Sequence, residues 1–231
     1  MQELRFNIST QNWNFKKAPS NLLPSNTIYV DLKKDNQQLL DHMKPKTRYN
    51  IGLSERKGVN VKSIGLENID VWYQLYQETA IRNNLNIGDI KNFQAVLNAQ
   101  LYNDNDTTEV LLLIAEFDST PLAAMFLVIS KNRASYLYGA SSSSNRNLMA
   151  TYALQWEAMQ IAKSKGCTEY DMFGVSPNPT PSHPLYGLYK FKTGFGGEMY
   201  HGIGCWDYPL DPQAYQYFCS LELSSQGYHV N

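Results

Sequence analysis

The chain has 231 residues, 43% hydrophobic and 18% charged, with a formal net charge of −1. This is the composition of an ordinary soluble domain that can bury a core without metals or disulfides, and it excludes a globally basic nucleic-acid coat. Three cysteines, Cys167, Cys205 and Cys219, are odd in number and far apart, which fits reduced structural thiols in a cytoplasmic protein and neither a disulfide framework nor a paired-ligand zinc site.

Met1–Ser25 mixes Glu3, Arg5, Lys16 and Lys17 with Asn and Ser, so no signal peptide is expected. No stretch of the sequence is long and apolar enough to predict a transmembrane segment. Asn26–Leu32 (NTIYVDL) predicts a strand and Asn36–Met43 a helix, with Pro45 marking a break before a second helix through Arg56 that Gly58 closes. Between Lys33 and Lys62 eight basic residues outnumber three acidic ones, which is either a solvated helix surface or a local basic face. VNVKSI alternates as a strand. Ile69, Trp72, Tyr76 and Ala80 then share one face of a long helix, and another helix spans Ile90–Leu101.

Beyond the Asn103–Thr108 cluster, EVLLLIAEF, PLAAMFLVIS and ASYLYGA are separated by short turns and predict an antiparallel meander. Leu148, Tyr152, Trp156 and Met159 recur at helical spacing in Leu148–Lys165, which Gly166 ends. A strand, TEYDMF, comes next, followed by a proline-rich loop at Ser176–Pro184. A short helix or turn carries LYGLYKFKTGFGG before a last strand, EMYHGIGCW. This order predicts an α/β fold of the acyl-CoA N-acetyltransferase-like kind, a mixed, mostly antiparallel sheet flanked by helices.

Such a fold takes coenzyme A at the start of its central helix, where glycines let the backbone approach the pyrophosphate. Here Leu148, Met149 and Ala150 occupy that place, which disfavours coenzyme A, although Arg146 could pair with a phosphate or carboxylate. The four histidines are isolated and no metal-ligand spacing occurs. Asp171, before Gly174, is either a cleft carboxylate or a loop tie. His183–Gly197 packs four aromatic residues, two lysines and four glycines. Composition alone makes it a packed turn with Tyr186, Tyr189, Phe191 and Phe195 in the core.

At HPLYGLYKFKTGFGG the sequence resembles the FemABX family of peptidoglycan bridge-forming aminoacyltransferases, which are non-ribosomal and tRNA-dependent. KPKTRYNIGLSERKGVNVK, YLYGASSSSNRNLMATYALQWEAMQIAKSKG and TEYDMFGV resemble other family stretches in the same order, so the likeness runs from Thr27 to about Tyr208. It implies transfer of an amino acid from aminoacyl-tRNA to the stem peptide of a peptidoglycan precursor, UDP-linked or lipid-linked muramyl peptide. It implies that Lys192 is the catalytic cation. Arg48 and Arg146 would contact phosphates of the tRNA or the precursor, and Tyr152, Tyr186 and Phe191 complete the expected substrate-binding set. No metal or cofactor is expected. Family members carry a further acetyltransferase-like module in front, so residues 1–23 are expected to be the remnant of a first module and residues 24–231 the module itself. A protein partner or a second copy would supply what is missing, and the expected location is cytoplasmic, peripheral at the inner face of the cell membrane. The alternatives are an N-acyltransferase with another acyl donor and a non-catalytic subunit.

Overall fold

A computed structural model describes residues 14–21, 23–98, 108–176, 180–183 and 185–224. Most of the segment expected to be a first-module remnant, residues 1–13 and 22, lies outside them, as does the expected helix end at residues 99–101. The chain forms two compact units. The larger comprises Val30–Met172 and Gly194–Gly197, and the smaller lies within Met1–Tyr29, Phe173–Thr193 and Glu198–Asn231.

The larger unit begins with the end of β2 (Asn26–Asp31) and continues through α1 (Asn36–His42), α2 (Pro45–Arg56), β3 (Asn60–Ile64), α3 (Ile69–Asn83) and α4 (Ile90–Asn98). It then runs through β4 (Glu109–Phe117), β5 (Thr120–Ser130), β6 (Arg133–Ser141), α5 (Ala150–Ser164) and β7 (Glu169–Asp171). Strand order is β3-β4-β5-β6-β7-β2, antiparallel from β3 to β6 and parallel between β6 and β7. The meander and its neighbouring strand thus form the expected acetyltransferase-like sheet.

Caps set the helix starts. Asp35 accepts from the Gln38 amide at 2.8 Å while the Gln38 side chain accepts from the Asp35 amide at 3.0 Å, a reciprocal capping box for α1. Pro45 opens α2, where its missing N–H costs nothing.

Strand β5 is buried along nearly its whole length because helices cover both faces of the sheet. Phe126 and Ala124 join Trp72, Leu75 and Phe93 in a core under α3, with Trp72 and Phe126 edge to face at 4.8 Å. Met125 points the other way and takes a 3.7 Å contact from the Gln155 amide of α5. The buried residues of α5 are Ala150, Leu154, Gln155, Ala158, Met159 and Ala162. Of the apolar stripe read from the sequence, Leu148, in the turn before the helix, and Met159 are buried, and Tyr152 and Trp156 are half-buried. Three alanines at roughly helical spacing let the helix backbone lie close to the sheet, and that smaller face wins over the aromatic one.

In the smaller unit, the first residues of β2 pair antiparallel with β8 (Glu198–His201). There β1 (Lys16–Lys17) pairs with β9 (Trp206–Asp207), and α6 (Tyr186–Lys192) and α7 (Pro212–Ser224) complete the unit. The last predicted strand is therefore two short strands, broken at Gly202–Cys205, where Gly204 has φ 72°. Helix α7 was not foreseen, although Asp211 accepting from the Gln213 and Ala214 amides is an ordinary start signal.

Candidate functional site

The clearest concave site of the larger unit lies at the start of α5. Lys46 and Asn50 from α2, Leu122, the loop from Ser141 to Met149, and Ala150–Tyr152 line a cavity of about 410 Å³. No acidic side chain is among its lining residues.

Helix α3 clamps the loop on which this cavity depends. A carboxylate oxygen of Glu78 accepts from the Ser143 amide at 2.5 Å and the Ser142 hydroxyl at 3.3 Å. Arg82 donates to the Ser141 carbonyl at 2.9 Å and to the Ser143 hydroxyl at 3.0 Å. The Thr79 hydroxyl accepts from the Ser141 amide at 2.8 Å. The hydrogen bond from the Ser143 amide holds the Glu78 carboxyl below the usual range, against partial desolvation. Burial, then the neighbouring Arg146 cation, draws the Arg82 guanidinium below its ordinary value, with Glu78 opposing.

Asn145 and Met149 both sit in the left-handed region, at φ 52° and 55°. For Met149 that conformation costs on the order of 1–2 kcal/mol relative to ordinary helical backbone. It turns the chain out of a single 3-10 turn, Arg146–Leu148, into α5, which has no side-chain cap. Ala150, Thr151 and Tyr152 of its first turn line the cavity, with the positive end of the helix behind them. Asn50, 3% exposed, carries a side-chain Nδ2 with no hydrogen-bond partner.

A second arrangement belongs to the smaller unit. Lys192 ends α6 and is 5% exposed. Its ammonium donates to the carbonyls of Phe173 at 3.0 Å and Gly174 at 2.8 Å. Those carbonyls are presented by a turn in which Phe173 adopts φ 59°. A side chain at Gly174 would meet Pro24 at 2.5 Å, so the turn needs glycine there. Tyr186, Tyr189 and Phe191 are half-buried, and the Lys190 ammonium sits 4.5 Å from the Tyr186 ring centroid.

Arg146 and Tyr152 of the expected set thus meet at one cavity, joined by Lys46 and Asn50, which the sequence reading did not nominate. The spacing of Lys46 and Asn50, four residues apart on one helix, was the available signal. Arg48 is not among the lining residues; its guanidinium donates to the Leu40, Asp41 and Met43 carbonyls at 3.2, 3.3 and 2.5 Å and closes the C-terminus of α1. Lys192, Tyr186 and Phe191 lie together on α6. Asp171 is buried at the end of β7. Among the described histidines, His201 bonds to Asn26 at 2.8 Å, His42 to the Gln38 carbonyl at 2.7 Å, and His183 accepts from the Leu185 amide at 3.0 Å. Among the described residues no cluster of metal-ligating side chains occurs, and no helix is long and apolar enough to cross a membrane.

A sheet covered on both faces, with a cavity lined by Lys46 and Arg146 where the central helix begins, defines an acetyltransferase-like α/β module. Residues 14–118 and 103–222 match the model of the FemAB family, and the chain belongs to that family. A lipid II:glycine glycyltransferase of Staphylococcus saprophyticus is 37% identical over 95 residues, covering 41% of this chain and 23% of that protein. One from Staphylococcus haemolyticus is 30% identical over 144 residues, covering 62% and 33%. The chain therefore matches a third or less of the length of these relatives. The crystal structure of FemX has a TM-score of 0.78 at 20% identity, over 91% of this chain and 69% of that one, a likeness of fold.

Proposed function

We propose that the protein takes part in transferring an amino acid from aminoacyl-tRNA to the stem peptide of a peptidoglycan precursor, a UDP-linked or lipid-linked muramyl peptide. The stem-peptide amine attacks the ester carbonyl of the aminoacyl-tRNA. A C–N bond forms as the ester C–O bond breaks, the terminal ribose hydroxyl leaves with a proton, and the amine gives up one. The ester is already activated, so the protein's work is to orient the two substrates and to stabilise the oxyanion that develops between them.

The observation that carries this reading is the buried ammonium of Lys192, which ends a helix whose sequence resembles the family's motif and is fixed by the main-chain carbonyls of Phe173 and Gly174. A cation desolvated and held in this way, with the substrate's developing negative charge brought beside it, stabilises that charge without reorganising at the moment of reaction. Tyr186 and Phe191, on the same helix, are assigned to shaping the substrate's approach, and Arg146 and Tyr152 to holding substrate at the α5 cavity. The names of the relatives, lipid II:glycine glycyltransferases, support a membrane-linked precursor and hence a peripheral position at the inner face of the membrane. A partner chain or second copy is part of the proposal wherever the remaining portion of the enzyme is needed.

The testing experiment incubates the protein with charged tRNA and either UDP-linked or lipid-linked muramyl pentapeptide, with acetyl-CoA as the competing donor. Appearance of an aminoacylated stem peptide only with charged tRNA supports the reading. Acetylation instead, or transfer from neither donor when relatives transfer under the same conditions, removes it.

A further inference from the structure

We infer that α7 is a self-association surface, on which the apolar stripe Ala214, Tyr217, Phe218 and Leu221 pairs antiparallel with the same stripe of a second copy of the chain. The inference goes beyond the proposed transfer reaction and stands without it.

One side of α7 is already engaged. The Tyr215 hydroxyl donates to Asp207 at 3.0 Å and Glu222 accepts from the Ser20 hydroxyl, so two residues two turns apart hold the helix within the smaller unit. The next face is open, and none of the described residues of α7 is buried. Tyr217, Phe218 and Leu221 are 68%, 51% and 52% exposed, and Leu210, just before the helix, is 91% exposed. Ala214, Tyr217, Phe218 and Leu221 recur at i, i+3, i+4 and i+7, the spacing of a helix that buries one stripe against another surface. From these exposures Leu210 and the stripe present roughly 500 Å² of mostly apolar surface, the upper end of what a monomer leaves open. That is the apolar share, about 65%, of a homodimer interface of about 800 Å² per partner.

The chemistry of the stripe selects a second copy. Helix α7 contains no cation, and its single acid is Glu222 on the engaged side. An anionic lipid surface finds no charge to attract here, whereas two copies meet without like-charge repulsion. Antiparallel packing about a two-fold axis between residues 217 and 218 sets Ala214 of one copy against Leu221 of the other, and Tyr217 against Phe218. Small then faces large, and aromatic rings meet at the centre. Gln213 and Ser220 border the stripe as an uncharged polar rim.

Sedimentation equilibrium of the full chain across the micromolar range tests the surface, with a dimer expected for the parent. Phe218→Glu and Tyr217→Lys, each at an exposed position and each checked by its far-ultraviolet circular dichroism, should weaken association at least about tenfold with the fold intact. Mixed in equal amounts, the two variants should associate again. The antiparallel register brings the introduced carboxylate and ammonium face to face on one side of the axis and keeps a native Tyr217–Phe218 contact on the other. A monomeric parent, a dimer unchanged in both variants, or variants that stay apart when mixed overturns the inference. Cosedimentation with phosphatidylglycerol vesicles addresses the rival occupant: a monomeric parent that binds vesicles, and loses them in Phe218→Glu, assigns the stripe to lipid and overturns the inference as well. No arm uses tRNA or a muramyl peptide, so failure of association leaves the proposed transfer standing, and failure of transfer leaves the dimer standing.

Discussion

The ammonium of Lys192 lies 2.8 Å from the carbonyl oxygen of Gly174, which makes this lysine part of the architecture around residues 173–174 as well as a candidate for chemistry. A lysine on an open surface could be replaced at almost no cost. A buried one that satisfies two carbonyls cannot.

Lys192→Met is therefore expected to lower stability by about 1–3 kcal/mol, the penalty for leaving buried acceptors without their donor. If Lys192 also stabilises the transition state, the single-turnover rate of the folded variant falls on the order of a hundredfold or more. Chemical denaturation together with single-turnover transfer, measured well below the melting temperature, separates the two effects. A variant that is destabilised but transfers at the parent rate assigns Lys192 to structure alone.

Two glycines of the same signature are expected to behave oppositely. Gly196 has φ 80°, and a side chain there would meet the His42 carbonyl oxygen at 2.6 Å. Gly196→Ala should cost about 1–3 kcal/mol through backbone strain and the clash. Gly187 lies within α6 with nothing near the place a side chain would occupy. Gly187→Ala should stabilise by roughly 0.4–1 kcal/mol through the unfolded state. Urea titrations of both variants check the contrast.

Alkaline pH should weaken the larger unit. The Tyr170 hydroxyl, fully buried, donates to Gln155 at 2.7 Å, and desolvation raises it well above the usual phenol range. Burial likewise pushes Tyr136 up to about 12. A group whose folded pKa is raised contributes stability that is whole below its unfolded value and is lost as pH rises through the folded one. Denaturation midpoints should hold up to about pH 10, the ordinary phenol value, and fall above it. A midpoint that climbs across that range contradicts the assignment.

Acid should loosen the loop around the α5 cavity first. The Glu78 carboxyl is held low by the Ser143 amide, so its contribution is present above the ordinary glutamate value of about 4.3 and is lost as pH falls below it. Hydrogen exchange at the Ser143 amide is expected to rise in Glu78→Gln at neutral pH relative to the parent. Unchanged protection would show that Arg82 and Thr79 suffice.

Much of the fold could be read because local and long-range signals agreed. The break at Pro45 between two helices, Trp72 and Tyr76 one turn apart, and three apolar strands with tight turns each point to one element. The central helix was found but only part of its buried face, Leu148 and Met159, because alanines carry little hydrophobic signal and packing against the sheet chose them. The basic run from Lys33 to Lys62 does not act as one face. Lys46 lines the cavity, Arg48 closes α1, and Lys62 pairs with Glu116 at 2.8 Å. Charge counting cannot separate such fates, since each depends on what other elements bring alongside. Asn50 was passed over for a related reason: its spacing from Lys46 is a weak signal, and a polar residue on a helix looks solvated until its burial is known.

The measurement that bears most directly on the central claim is single-turnover transfer of a radiolabelled amino acid from charged tRNA to muramyl pentapeptide, UDP-linked and lipid-linked. It is run with the parent and with Lys192→Met, alongside any partner chain the parent requires. The account predicts label on the stem peptide with the parent, dependent on charged tRNA and indifferent to acetyl-CoA, and a drop of about a hundredfold or more in the folded variant. Label transferred equally by both proteins, or an acetyl group transferred in its place, would contradict it.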